Sequence, residues 1–147
     1  MKVLFLCTGN YYRSRFAEEY FNHLVKSEGL QASAYSLGLM RDFSGNGNVG
    51  PISKDTLAEL NSLGVEPRGH ERMPDYVYLE HFDDFDLVIA VSRSEHTPMV
   101  KENWPDESPS IEYFDVEDLH LEGPETALPR LRQHIEGLVE RLRAQAK

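Results

Sequence analysis

Four consecutive apolar residues, Val3-Leu4-Phe5-Leu6, stand directly after Met1-Lys2 with no polar residue among them. A strand that is apolar on both faces needs cover on both, which favours a parallel sheet lying between helices over a sheet with one wet face. The rest of the chain keeps to that plan. Strand patterns at about 2–7, 31–36, 86–91 and 110–113 alternate with helical patterns at about 13–28, 53–63, 93–102 and 124–145. Leu128, Leu131, Ile135, Leu138 and Leu142 recur every three or four residues, which gives the last helix one apolar face to lay on the sheet. No repeat, low-complexity run or long linker divides the pattern, so 1–147 reads as a single domain with room for a continuous core.

The first strand runs directly into Cys7-Thr8-Gly9-Asn10-Tyr11-Tyr12-Arg13-Ser14, and helical spacing resumes at Phe16. A cysteine therefore sits at a strand's carboxyl end and an arginine at a helix start. The first amides of a helix have no intrahelical partner and, with the helix dipole, attract an anion. Successive amides of a tight loop converge on such a guest, and Gly9 and Asn10 are the residues best suited to the left-handed conformations this needs. The Arg13 guanidinium offers a two-pronged grip on an oxyanion that lysine lacks. The thiolate of Cys7 is the natural nucleophile in that positive setting, with the Ser14 hydroxyl beside it to stabilise the sulfur.

At these residues the chain resembles the low-molecular-weight protein tyrosine phosphatases and their arginine phosphatase and arsenate reductase relatives. The likeness continues through Ser36-Leu37-Gly38, Pro51-Ile52-Ser53-Lys54-Asp55-Thr56-Leu57 and Asp86-Leu87-Val88-Ile89-Ala90. It implies a three-layer α/β sandwich whose central four-stranded parallel sheet has the order 2-1-3-4. It also implies a phosphomonoesterase that works through a phosphocysteine, with Cys7 and Arg13 catalytic and residues Thr8 to Ser14 binding the phosphate or a similar oxyanion. Asn10, Ser14, Ser36 and His70 match positions that support the loop. The family's acid loop aligns with Phe114-Asp115-Val116-Glu117-Asp118-Leu119, which makes Asp118 the general acid and Asp115 the competing assignment. An acid is needed because a phenolate or alkoxide leaves poorly unless it is protonated as the P–O bond breaks.

Three departures bear on substrate. Leu119 replaces the family's proline after the acid, and Tyr12 stands where many members carry a second cysteine for a protective disulfide. Thr8 follows the nucleophile, as in the arginine phosphatase branch; a threonine there also serves to satisfy a backbone group. Tyr11 is placed either to stack on a substrate ring or to pack. The alternatives to a tyrosine phosphatase are thus a protein arginine phosphatase, an arsenate reductase completed by an external thiol, and a phosphate-binding module with little catalysis.

Composition narrows the partners. A net charge of −10 argues against nucleic acid and anionic membranes, both of which want basic patches. One cysteine allows no internal disulfide and suits the cytoplasm, and no apolar stretch approaches the roughly 20 residues that span a bilayer. The six histidines lack the paired spacing of zinc ligands, so neither metal nor organic cofactor is expected. The expected partner is a phosphorylated protein or small phosphate ester, met by a monomer. The Gly- and Asn-rich stretch from Arg41 to Gly50 reads as a loop, and the resemblance implies that it borders the site.

Overall fold

β1 (Lys2–Cys7) lies at the centre of a four-stranded parallel sheet of order β2-β1-β3-β4, with β2 at Ser33–Gly38, β3 at Leu87–Ala90 and β4 at Glu112–Tyr113. The computed structural model describes residues 1–40, 50–117 and 123–146. Alternation along β1 divides its side chains between the two faces. Val3, Phe5 and Cys7 enter one core with Phe16, Phe21, Leu131 and Ile135, while Leu4 and Leu6 enter the other with Leu37, Val88, Val100 and Phe82. The expected sandwich and strand order are therefore present.

Helix α1 (Arg13–Glu28) and the long C-terminal helix α5 (Pro124–Gln145) belong to the first face. Phe16, Ala17, Tyr20 and Phe21 form the inward stripe of α1, and Phe21 meets Phe5 edge-on at 5.8 Å between ring centroids. On α5 the five leucine and isoleucine positions read from the sequence are all buried, joined by Ala127 and Val139. Helix α1 ends where Gly29 adopts φ 68°, a conformation glycine takes without strain. Between them comes α2 (Lys54–Ser62), capped by the Ser53 side chain, which accepts from the Asp55 amide.

The structure differs from the sequence reading at several places, among them β4, which starts two residues later than expected because Ser108–Ser110 form a 3-10 turn. β2 starts two residues later than expected because Lys2 pairs with Ser33 and Cys7 with Gly38, and that register carries the strand through the buried Leu37. The stretch after Arg72 contains a short helix α3 (His81–Asp84), and Val77 before the helix and Phe82 in it are buried in one core with Leu4, Leu6 and Val88. Helix α4 (Arg93–Asn103) follows β3. Since β1 and β3 are neighbours in the sheet but lead to opposite sides of the topology, the loop after Cys7 and the first turn of α4 flank the crevice at the strands' carboxyl ends, where open α/β sheets bind ligands. Among the described residues, no helix is long and apolar enough to cross a membrane.

Candidate active site

The loop from Cys7 to Ser14 is held by its carbonyl groups. Leu39 N–H donates to the carbonyls of Cys7 and Thr8, Met40 N–H to Thr8, Ser53 N–H to Tyr11, and the Thr56 hydroxyl to Tyr12. The Arg15 guanidinium takes the Asn10 carbonyl. A peptide unit whose C=O points outward turns its N–H the other way, so these donors from the residues after β2, from α1 and from the start of α2 leave the loop's amides facing inward. The side chain of Tyr12, the N-cap of α1, does not cap the helix, and the helix's first turn carries no acidic residue, so neither competes with an anion there.

Asn10 alone of the loop's residues takes a left-handed conformation, with φ 51°; Gly9, expected to share it, does not. Asparagine tolerates that region better than other non-glycine residues, because its short polar side chain bonds locally. Here the side chain is fully buried and reaches Ser14 Oγ at 2.9 Å and Ser36 Oγ at 3.0 Å through its amide nitrogen. Ser14 Oγ in turn lies 2.9 Å from Cys7 Sγ. The chain Ser36–Asn10–Ser14–Cys7 thus connects β2 to the sulfur through side chains. Gly38 must be glycine for a steric reason: a Cβ there would stand 2.9 Å from the Thr8 carbonyl oxygen and 3.3 Å from Asn10 Cβ.

A layer of buried charge backs this chain. Arg15, 1% exposed, donates to the carbonyls of Pro51, Gly69 and Arg72 in addition to Asn10. Arg72 bonds Asn10 Oδ1, Ser36 Oγ and Glu18 Oε1, and Glu19 accepts from the amides of Arg68 and Gly69. Burial pushes the Glu18 carboxyl up, opposed by the Ser36 hydroxyl and Arg72. Burial and the neighbouring Arg72 lower Arg15. His70, expected in this network, is exposed and none of these bonds goes to it. The turn that begins at Gly69 brings in Arg72 instead, because Glu19 and Arg15 pin the Gly69 amide and carbonyl.

Arg13 is 2% exposed. Its Nη1 donates to the Val116 carbonyl at 3.0 Å and its Nη2 to Glu95 Oε2 at 2.9 Å. The same carboxylate oxygen accepts from the Thr8 hydroxyl and faces His96 Nε2 at 3.0 Å. Burial alone would raise Glu95, but the His96 hydrogen bond and the charge of Arg13 overcome it and hold the carboxyl well below the usual carboxylate range. Thr8 is thereby tied to α4 and not to a backbone group. Tyr12 is a buried core residue, so only its backbone is available to an anion, and Tyr11 is half-buried against the same core.

Asp118 lies outside the described residues, as do 41–49. The segment leading to it is anchored at Asp115 and Glu117. Asp115 Oδ1 is 2.6 Å from His134 Nε2, and that hydrogen bond holds its carboxyl below the ordinary range. Glu117 accepts from the Ser94 hydroxyl at 2.7 Å. An aspartate already committed as the anion of a pair is a poor proton donor, which weighs against Asp115 as the acid. Among the described residues, no group of three or more His, Cys, Asp or Glu side chains is arranged to hold a metal ion.

Sequence reasoning missed Glu95, His96, Arg15 and Arg72. The available signal was Ser92-x-x-Glu95, which has capping-box spacing at a helix start, but nothing in it points to Arg13 across 82 positions.

Residues 2–147 match the family model described as low molecular weight phosphotyrosine protein phosphatase. No curated protein sequence gives a significant match. Among solved structures, the low molecular weight protein tyrosine phosphatase from T. tengcongensis is 27% identical, with a TM-score of 0.79 over 96% of this chain and 99% of that one. YfkJ from Bacillus subtilis is 24% identical, with a TM-score of 0.82 over 100% and 97%. The YwlE arginine phosphatase, in a mutant form with a phosphorylated active-site serine, is 20% identical, with a TM-score of 0.73 over 99% and 95%.

Proposed function

The chain belongs to the low molecular weight phosphotyrosine protein phosphatase family and is a cysteine-based phosphatase; on that premise we propose that it hydrolyses phosphotyrosine on proteins with Cys7 as nucleophile, Arg13 as oxyanion grip and Asp118 as acid. The observation that carries the assignment is the Cys7 sulfur, 2.9 Å from the Ser14 hydroxyl, inside a loop whose carbonyls are taken from outside. The thiolate attacks phosphorus in line, forming the S–P bond as the bond to the leaving oxygen breaks. Arg13 and the loop amides of Thr8 to Ser14 hold the equatorial oxygens, where charge spreads in the transition state. The leaving oxygen takes its proton from Asp118. The resulting carboxylate then removes a proton from water as that water attacks the phosphocysteine and the S–P bond breaks, releasing phosphate and restoring the thiolate and the acid.

Two features support Asp118 over Asp115. Asp115 is held as an anion by His134, and the chain two residues before Asp118 stands against the Arg13 guanidinium through the Val116 carbonyl. Thr8 gives the arginine phosphatase reading no separate support, since its hydroxyl is engaged by Glu95 and His96. The enzyme acts as a cytoplasmic monomer in this proposal and needs neither metal nor cofactor.

The test is steady-state hydrolysis of para-nitrophenyl phosphate by the wild type and by Cys7→Ser, in a metal chelator. Chelator-resistant turnover that disappears in the variant is the expected result. Wild-type protein that binds phosphate without turning over the ester overturns the assignment.

A further inference from the structure

Helix α4 begins with Ser92 as N-cap and Glu95 three residues on, the spacing of a capping box. In a complete box the serine hydroxyl accepts the amide of the third helical residue, and the glutamate reaches back to the N-cap amide. Only the first half forms here. Ser92 Oγ accepts from the Glu95 amide at 3.3 Å, but the Ser92 amide is taken by Nδ1 of the fully buried His96 at 3.1 Å. The imidazole therefore does the capping that the glutamate would otherwise do. A ring nitrogen that accepts an N–H carries no proton of its own, so the hydrogen of the neutral ring is on Nε2, which faces Glu95 Oε2 at 3.0 Å and Thr8 Oγ1 at 3.1 Å.

The carboxylate released from the helix is aimed at the phosphate loop. Its Oε2 meets Arg13 Nη2 at 2.9 Å and the Thr8 hydroxyl, which brings one oxygen of α4 against two residues of the loop from opposite ends. We propose that Glu95 is a positioning residue that fixes the Arg13 guanidinium for oxyanion binding, and that His96 keeps it in that role by relieving it of the helix cap. The proposal rests on the reading that Arg13 grips the phosphoryl oxygens. The physical argument is preorganisation: a long, rotamer-rich side chain held in its working geometry before the anion arrives loses less freedom when it binds.

A carboxylate in this place also has the opposite effect, since its charge offsets the attraction of Arg13 for an anion. The two effects predict opposite signs when the carboxylate is removed, and that makes the proposal decidable. The measurements are the inhibition constant of inorganic phosphate and the kcat and KM for para-nitrophenyl phosphate, in Glu95→Ala, Glu95→Gln, His96→Ala and His96→Asn. Loss of one hydrogen bond to a charged group corresponds to about a tenfold or larger weakening of phosphate in Glu95→Ala, with kcat falling alongside. Glu95→Gln should recover most of it, because a carboxamide oxygen accepts the same Arg13 bond without the charge. His96→Ala should behave like Glu95→Ala, as the glutamate turns back to the vacant Ser92 amide. His96→Asn, whose carboxamide oxygen stands near the place of Nδ1, should stay close to wild type.

Phosphate binding that tightens or stays unchanged in Glu95→Ala overturns the proposal and leaves Glu95 as a charge offset. Wild-type phosphate affinity in His96→Ala overturns the part assigned to His96. The same binding series on a Cys7→Ser background reads Glu95 without catalysis. A wild type that does not turn over, but whose phosphate binding depends on Glu95, defeats the catalytic assignment alone, whereas a wild type that binds no phosphate defeats both.

Discussion

The two segments that meet at Arg13 are anchored in different ways. Residues 7 to 14 are fastened by buried donors, among them Arg15 at 1% exposure and the fully buried Asn10. Residues 114 to 117 keep their backbone in buried bonds, Phe114 N–H to Ala90, Val116 N–H to Val91 and the Val116 carbonyl to Arg13, but their polar side chains are tied near water: Asp115 is 73% exposed where it meets His134, and the Ser94–Glu117 bond is also exposed. A buried polar anchor is costly to remove, because its partner is left without water to replace it, whereas an exposed ion pair is worth about 0–1 kcal/mol. The loop from Cys7 to Ser14 is therefore built to hold one shape down to its side chains, whereas the side chains of Asp115 and Glu117, on the way to Asp118, are held by contacts that water readily replaces.

That contrast is best broken by substitutions on each side of it. The largest effect belongs to the sulfur: Cys7→Ser should lose all measurable turnover while keeping phosphate affinity within about threefold, because the loop amides and Arg13 remain. Inhibition and single-turnover assays check both halves of that statement. Next comes Arg15→Met, which leaves the carbonyls of Asn10, Pro51, Gly69 and Arg72 without their shared donor. We expect a loss of about 3 kcal/mol in urea-induced unfolding, together with weaker phosphate binding. Gly38→Ala should cost about 1–3 kcal/mol, as a new Cβ forces the Thr8 carbonyl and Asn10 apart from β2. On the other side, Ser94→Ala should cost about 1 kcal/mol or less. A loss as large as that of Arg15→Met would erase the distinction between the segments.

Asp115→Asn should have the smallest effect, and one that depends on pH. The folded carboxyl titrates below its unfolded value of about 3.9, so the pair with His134 stabilises the fold above that value and ceases to do so as pH falls through the lower folded value. The stability difference between wild type and Asp115→Asn should therefore be present near pH 6 and absent well below pH 3. A difference that grows on acidification contradicts the assignment of Asp115 as the anion of the pair.

What was legible from sequence was local. Cys7, Asn10, Arg13 and Ser14 lie within eight positions, and a strand followed by a helix fixes their geometry once the loop forms. The 3.6-residue period of α5 likewise marks its buried face, since one face of one helix decides it. The support for the site was not legible. Arg15, Glu18 and Glu95 read as ordinary polar residues of helices, and only the meeting of α1, the Gly69 turn and α4 behind β1 makes them partners. His70 and Arg72 differ by two positions in a turn, a distinction that hydrogen bonding from Glu19 and Arg15 decides and residue type does not. The two-residue shift of β2 has the same origin, because strand pairing with β1 and not the strand's own pattern sets its ends.

Three guanidiniums surround the loop, Arg13, Arg15 and Arg72, and three carboxylates accompany them, Glu18, Glu19 and Glu95. Their formal charges cancel, so the immediate surroundings of the sulfur add little to the far field of a protein of net charge −10. An anionic substrate is consequently repelled at distances beyond the pocket and attracted only within reach of the loop amides and Arg13. Encounter is then the uphill part of the reaction at low ionic strength, and moderate salt from an ion that does not itself enter the loop should speed association by screening that repulsion.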